Sequence, residues 1–351
     1  MTNNNNNKDN NMNYEVIEHL DNITHEQWLD LRSTGIGGSD CAAVFGESPY
    51  TSPLTLWAQK SGRVERDVPT NEAMEWGNLL EDVVASKFAR DHNKVVVKWP
   101  VMLRSRRLPH MLANLDFVIM ADDSHFEAGT ITTWNETTPP PGIIDSILEI
   151  KTAGLVGRYS THQWDDDGVP TGYWYQGLHY STVTGISSVT YAALVAGSGL
   201  VVRERFYNEG DHLTCELTEA VFWTNVTSGT PPEVDGSPST SETISELYPT
   251  STETTIEADE FMLETYKTYC EAKSALTELE RRVKQLRAQL EMGIGSSEAV
   301  TYNGETLFTY KSTKDTEAFD AKLFKTTHPD LYKEFVKPKS GYRVMRMKGE
   351  L

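Results

Sequence analysis

The short apolar run Leu148-Glu149-Ile150-Lys151 sets an acid and a lysine two residues apart. Side chains alternate along a strand, so Glu149 and Lys151 share one face while Leu148 and Ile150 enter the core. A carboxylate beside an ammonium at the end of a buried strand suits phosphodiester hydrolysis. The acid can bind a hard divalent cation, and the lysine can orient or deprotonate an attacking water. An ordinary same-face ion pair would look identical, so the pair gains meaning only from partners.

Partners are present. Asp116 interrupts the apolar run from His110 to Ile119, where an acid is disfavoured by propensity and expensive to bury alone. Between Asn71 and His92 the pattern is helical. At roughly 100° per residue, Met74, Gly77, Leu80, Val84 and Phe88 form one apolar arc with Glu81 inside it. Glu75 and Asp82 fall on the polar side, where acids are expected. Three acids and a lysine therefore stand where local rules favour apolar residues. Such violations mark functional sites.

In order and wording these residues resemble the active-site pattern of the PD-(D/E)xK nucleases, in the lambda-exonuclease branch known as the YqaJ-like phage recombinases. Arg32-Ser33-Thr34-Gly35-Ile36-Gly37-Gly38-Ser39-Asp40, followed by Ser48-Pro49-Tyr50, resembles the family's N-terminal motif. Trp76 to Glu81 resembles its first acidic motif, and Glu149-Ile150-Lys151-Thr152-Ala153 its central one. Val169-Pro170, Tyr173, Gln176 and His179-Tyr180 resemble the helix that follows. The similarity spans residues 24 to 205 and resumes near Asp235-Gly236-Ser237 and Leu247-Tyr248-Pro249. One interval departs from the pattern. Thirty-two residues separate Asp116 from Glu149, which reads as a hairpin or loop inserted over Ala121 to Gly142. It leaves Asp145 competing for the aspartate role, although Asn114-Leu115-Asp116 matches the motif and Asp145 lies only four residues before Glu149.

The resemblance implies an α/β fold. Its PD-(D/E)xK, restriction-endonuclease-like core would have a mixed central sheet flanked by helices, with a long C-terminal helix and a small α/β tail. It implies a Mg²⁺-dependent enzyme, with Mn²⁺ as the alternative ion, degrading linear duplex DNA from 5′ ends. Asp116 and Glu149, with the Ile150 backbone carbonyl, would hold the metal, and Glu81 would complete the acidic site. Two carboxylates about 4 Å apart repel by roughly 4 kcal/mol at an effective dielectric of about 20. One Lys151 cannot satisfy both, whereas Mg²⁺ can. Lys151 would help activate water. Gln176 would orient the site, although a polar residue satisfied within its own domain reads the same. Arg32 and Ser39 match the positions that hold a terminal 5′-phosphate. The glycines beside them offer unencumbered N–H groups before a helix, a natural phosphate cradle, although a tight turn would look the same. His179 reads as a packed core histidine. The partners implied are duplex ends and a single-strand annealing protein. A structure-specific endonuclease and a non-catalytic end-binding module are the alternatives.

A net charge of −19 runs against a nucleic-acid binder. Its location softens the objection, because Thr227 to Glu260 holds eight acids and no lysine or arginine. Lys98, Arg104, Arg106 and Arg107 precede the Asp116 strand, and Lys151 and Arg158 come at and after the central strand, so a local basic groove is expected. Three widely spaced cysteines fit a reducing compartment and exclude a four-cysteine iron–sulfur cluster. With no long apolar run and an Asn-rich start, the expectation is a cytoplasmic protein, in the host cell if phage-encoded.

Four regions are expected: an Asn-rich disordered tail over 1–13, a nuclease domain over 14–226, an acidic Ser/Thr/Pro-rich linker over 227–256, and a coiled-coil-like helix with a C-terminal segment over 257–351. Thr24 to Gln27 reads as a capping box, and Ser39-Asp40 as a cap for the helix around Ala42 to Phe45. Strands are expected over 95–103, 111–120, 143–151, 189–196 and 200–207, with a helix over 173–180. Met262, Thr265, Tyr269, Ala272, Leu276, Leu279, Val283, Leu286 and Leu290 alternate three and four apart, a narrow seam suited to a homo-oligomer or to packing within one chain. Glu278 with Arg282 and Glu280 with Lys284 are spaced for ion pairs.

Overall fold

The capping box forms: Thr24 Oγ1 accepts the Gln27 N–H at 3.2 Å, and Gln27 Oε1 accepts the Thr24 N–H at 2.8 Å. In this computed structural model it opens α1 (His25–Ser33), which follows β1 (Tyr14–His19) and half-buries Trp28 and Leu31. The structure describes residues 12–65, 72–121, 126–154, 164, 168–338 and 341–346, so most of the expected Asn-rich tail and Arg158 lie outside it. Next come β2 (Ile36–Gly37), α2 (Gly38–Val44), α3 (Pro53–Lys60) and α4 (Glu72–His92). Ser39-Asp40 does not cap α2. The helix starts at Gly38, and Asp40 reaches back from its first turn to accept the Gly37 N–H at 3.1 Å. An acid there also suits the positive end of the helix dipole. Along α4, Val84, Ala85, Phe88 and Ala89 are buried, but Met74 is 45% exposed, so the apolar arc packs only in its later turns.

The chain continues through β3 (Val95–Lys98), β4 (Val101–Ser105), β5 (Met111–Ala113), β6 (Phe117–Met120), β7 (Ile131–Thr133), β8 (Ile144–Ala153), α5 (Thr171–Thr184), β9 (Ser188–Val195) and β10 (Gly199–Phe206). Two runs expected as single strands are each divided. Pro100 cannot donate to a ladder and breaks 95–103 into β3 and β4. Asn114-Leu115-Asp116 breaks 111–120 into β5 and β6. Each run gives one strand to each of two sheets, ordered β1-β4-β5-β2 and β10-β9-β8-β6-β3-β7. The larger sheet is mixed: β6 runs antiparallel to β8, and β8 parallel to β9. The expected insertion adds β7 to that sheet's edge, parallel to β3.

Both faces of the larger sheet are covered. Val84 and Phe88 of α4 join Leu148 and Ile150 in one apolar cluster, while Leu178 of α5 joins Ile147 and Tyr191 in another. β8 is thereby sealed except where its polar face meets a cleft. The mixed α/β architecture expected from the sequence is what the chain adopts.

α6 (Glu209–Ser228) and α7 (Pro238–Leu247) complete the first of two compact units, Met1–Tyr248. α7 lies inside the segment read as an acidic linker. Ser237 caps it, and the Thr243 hydroxyl meets that of Thr55 on α3 at 2.7 Å. The second unit, Pro249–Leu351, holds α8 (Glu260–Ile294), the hairpin β11 (Ala299–Tyr302) and β12 (Glu305–Thr309), α9 (Ala321–Thr327) and α10 (Pro329–Phe335). The α8 seam is exposed, Leu279 and Val283 by 63% each. Its ion pairs join Glu278 to Arg281 and Arg287 to Glu291 instead of the expected partners, since three- and four-residue spacings both bring side chains together. Among the described residues no helix is long and apolar enough to cross a membrane.

Candidate active site

β8 presents Glu149 and Lys151 on one face, as strand alternation requires, and Lys151 Nζ donates to Glu149 Oε1 at 2.5 Å. Gln176, from α5, donates its Nε2 to the same oxygen at 2.6 Å and to the Tyr180 hydroxyl at 3.2 Å. Asp116 stands just before β6, the neighbour of β8, and its Oδ2 accepts the Ile150 N–H at 2.9 Å. Glu81 comes from α4 on the other side. Glu81, Asp116, Glu149, Lys151, Gln176 and Ser39 line one cleft of about 930 Å³, together with Tyr50, Met74, Asn78 and Tyr173. Asp145 is exposed on β8 and is not among the lining residues, whereas Asp116 is one of them.

The electrostatics of this cleft favour a cation. Burial, reinforced by Asp116, pushes Glu149 up to about 8, and Lys151 offsets only part of that. Burial likewise lifts Glu81 to about 7, with Asp116 adding to it. Asp116 is itself raised by burial, against the pull of Lys151 and the Ile150 N–H. Burial would lower Lys151, but Glu149 and Asp116 outweigh it and hold the ammonium well above its ordinary value. The Lys151 ammonium also lies 4.9 Å from the Tyr173 ring centre. Glu149 Oε2 is buried with no hydrogen-bond partner. A buried carboxylate oxygen left unpaired beside a second carboxylate fits a hard divalent ion. Asp116 and Glu149 could hold one, with Glu81 within the same cleft.

Residues 27–187 match the model of the YqaJ-like viral recombinase domain.

The matched segment contains every residue of the cleft's acidic and basic set. The protein YqaJ of Bacillus subtilis (strain 168) is 28% identical over 335 residues, covering 94% of this chain and 96% of its own length. A solved alkaline exonuclease, LHK-Exo of Laribacter hongkongensis, is 12% identical with a TM-score of 0.44, covering 58% of this chain and 94% of its own. The same enzyme in complex with dAMP gives a TM-score of 0.43.

Within the YqaJ-like segment, the N-terminal motif is used differently from the cradle its glycines suggest. Arg32 is 4% exposed, and its Nη2 donates to Ser39 Oγ at 3.0 Å and to Asp40 Oδ2 at 3.2 Å. Lys60 meets the same Asp40 oxygen at 2.9 Å. Gly37 and Gly38 serve close packing: an added Cβ would strike the Arg32 guanidinium at 1.6 Å and the Tyr180 ring at 2.4 Å. The Gly37 N–H is taken by Asp40 and the Ile36 N–H by the His110 carbonyl. Ser39 reaches the cleft, and Arg32 sits behind it.

Among the described residues, the expected basic groove is reduced to Lys151 at the cleft, and Arg158 lies outside those residues. Lys98 pairs with Asp82, Arg106 donates to the Tyr14 carbonyl, Arg107 pairs with Glu216, and Arg104 lies 3.8 Å from Glu15. None of the four lines it. Sequence reasoning did not foresee that Tyr180 would hold Gln176 or that Tyr173 would stack on Lys151. Their spacing from Gln176, four and three residues on one helix, was the available signal.

Proposed function

We propose that the chain is a Mg²⁺-dependent DNA exonuclease that degrades linear duplexes from 5′ ends, leaving 3′ overhangs for a single-strand annealing protein. One observation carries the reading: Glu149, bonded to Lys151 on its own strand face and to Gln176, shares a cleft with Glu81 and Asp116. The description of the matching domain as a viral recombinase supports action on DNA.

Asp116 and Glu149, with the Ile150 carbonyl, would hold Mg²⁺ or Mn²⁺, and Glu81 would complete the set. The ion would supply charge to neutralise the phosphate and Lewis acidity toward the attacking oxygen. The chain's own residues do the rest. Gln176 clamps Glu149 Oε1 so that the unpartnered Oε2 faces a ligand. Lys151, held as an ammonium, orients water and stabilises charge that develops on the phosphate. The Ile150 N–H fixes the Asp116 carboxylate against β8. Ser39 at the cleft would meet the terminal phosphate, and Arg32, which donates to Ser39 from behind, would position that hydroxyl and lend it positive charge. The exposed seam on α8 is suited to a second copy of the chain, consistent with a homo-oligomer.

The test is purified protein with Mg²⁺ and linear duplexes labelled at the 5′ or the 3′ end, beside a closed circle. The reading expects early release of the 5′ label, late release of the 3′ label and an intact circle. Rapid nicking of the circle would replace it with the endonuclease alternative, and binding without cleavage with the end-binding module.

A further inference from the structure

One face of α5 supplies Gln176 to the cleft, while its neighbour His179 enters a second polar cluster that the proposed chemistry does not use. Cys41 of α2, His179 of α5, and Cys215 and Glu219 of α6 are all fully buried. Their ligand atoms lie within 4.8 Å of one another. His179 Nδ1 is 2.8 Å from Glu219 Oε1, and Cys215 Sγ is 3.5 Å from that same oxygen. The cysteines are free thiols.

Three features make this more than a core ion pair. First, His179 Nε2 lies 2.8 Å from the Leu112 carbonyl, which can only accept, so Nε2 carries a proton and Nδ1 is the nitrogen turned to the cluster. Metal-bound histidines are oriented in this way, by a carbonyl on the remote nitrogen. Second, Glu219 Oε2 is buried with no hydrogen-bond partner, an open ligand position in a sealed pocket. Third, Cys215 and Glu219 are four apart on one helix and so project on one side of it, with Cys41 and His179 brought to them by other helices. An imidazolium–glutamate pair alone accounts for Oε1 and Nδ1. It leaves Oε2 unpartnered and gives the two buried thiols only weak hydrogen bonds, Cys215 with Glu219 and Cys41 with Cys215.

We propose that Cys41, His179, Cys215 and Glu219 form a closed, four-ligand Zn²⁺ site that ties α2, α5 and α6 together. Two sulfurs, an imidazole nitrogen and a carboxylate match zinc, which takes four such ligands in closed structural sites. They do not match Mg²⁺, which takes oxygen. Binding displaces the two thiol protons and the proton shared between His179 and Glu219, with no change of oxidation state. The site lies two residues from Ser39 and three from Gln176 in sequence, so the ion would stiffen the helices that present both.

The experiment uses the full chain, purified without chelator and assayed by elemental mass spectrometry, beside a Cys41→Ser/Cys215→Ser variant. About one zinc per chain is expected, falling by about tenfold or more in the variant. Because the variant could fail to fold, the native chain is also loaded with Co²⁺. Thiolate charge-transfer bands in the near ultraviolet and tetrahedral d–d bands in the red are expected. Folded native protein with neither zinc nor cobalt bands would overturn the proposal. So would zinc retained by the double variant, which would place the ion on the cleft carboxylates. A disulfide between Cys41 and Cys215 in protein kept under reductant would overturn it as well.

Discussion

Helix α5 carries two buried polar clusters one turn apart, and they differ in access. At Gln176 the cluster opens into a cleft of about 930 Å³ and is built of carboxylates and an ammonium. At His179 it is closed on all sides and built of sulfur, imidazole and one carboxylate. Both contain a buried carboxylate oxygen with no donor, Glu149 Oε2 and Glu219 Oε2. On the proposed reading this shared irregularity has two uses, chemistry in the open cluster and cohesion in the closed one. Substitutions should separate the two.

The largest effect belongs to the open cluster. Lys151→Ala removes the ammonium held against Glu149, and the cleavage rate should fall about 10²- to 10⁴-fold. Circular dichroism should show the fold retained, because the buried acid can take up a proton. A loss of structure matching the loss of rate would erase the contrast. Glu219→Ala, in the closed cluster, strips His179 of its buried partner. Removing one member of such a pair costs about 3–5 kcal/mol, read as a lower midpoint in urea or heat. A variant as stable as the native chain would show that the closed cluster contributes no cohesion.

A smaller effect sharpens the comparison at the cleft's rim. Arg32→Ala should erase most of the preference for 5′-phosphate over 5′-hydroxyl duplexes. A charge-assisted contact is worth about 1.5–3 kcal/mol, or about ten- to hundredfold. Taking the ratio on one preparation cancels any loss of folded protein. An unchanged ratio would confine Arg32 to its ion pair with Asp40.

The charged members of the open cluster were legible in the sequence because each of them breaks a local pattern. Glu81 interrupts a helical apolar arc, Asp116 an apolar run, and Glu149-x-Lys151 a strand. The mixed sheet followed from the same apolar runs. Their division between two sheets was not legible, because Trp99-Pro100 and Asn114-Leu115-Asp116 redirect the chain by a few residues within otherwise apolar stretches. The basic residues from Lys98 to Arg107 misled, since charge order in sequence does not reveal that Asp82, Glu15 and Glu216 meet them in space. The closed cluster was hidden for a similar reason. Cys41, His179 and Cys215 are far apart along the chain and show no ligand spacing, and only the packing of α2, α5 and α6 unites them. Glycines at 37 and 38 were read as room for a ligand, whereas Arg32 and Tyr180 occupy that room.

The central claim is that Glu149 works as a ligand-binding acid of a hydrolytic cleft. Glu149→Gln tests it most directly, because the amide keeps the shape and can still meet Gln176 while the charge is gone. Native protein and variant would be compared on 5′-labelled linear duplex in Mg²⁺, with EDTA as the control. Label release is expected from native protein in Mg²⁺, none in EDTA, and none from a variant whose melting curve shows it folded. Label release by folded Glu149→Gln protein at near the native rate would contradict the claim.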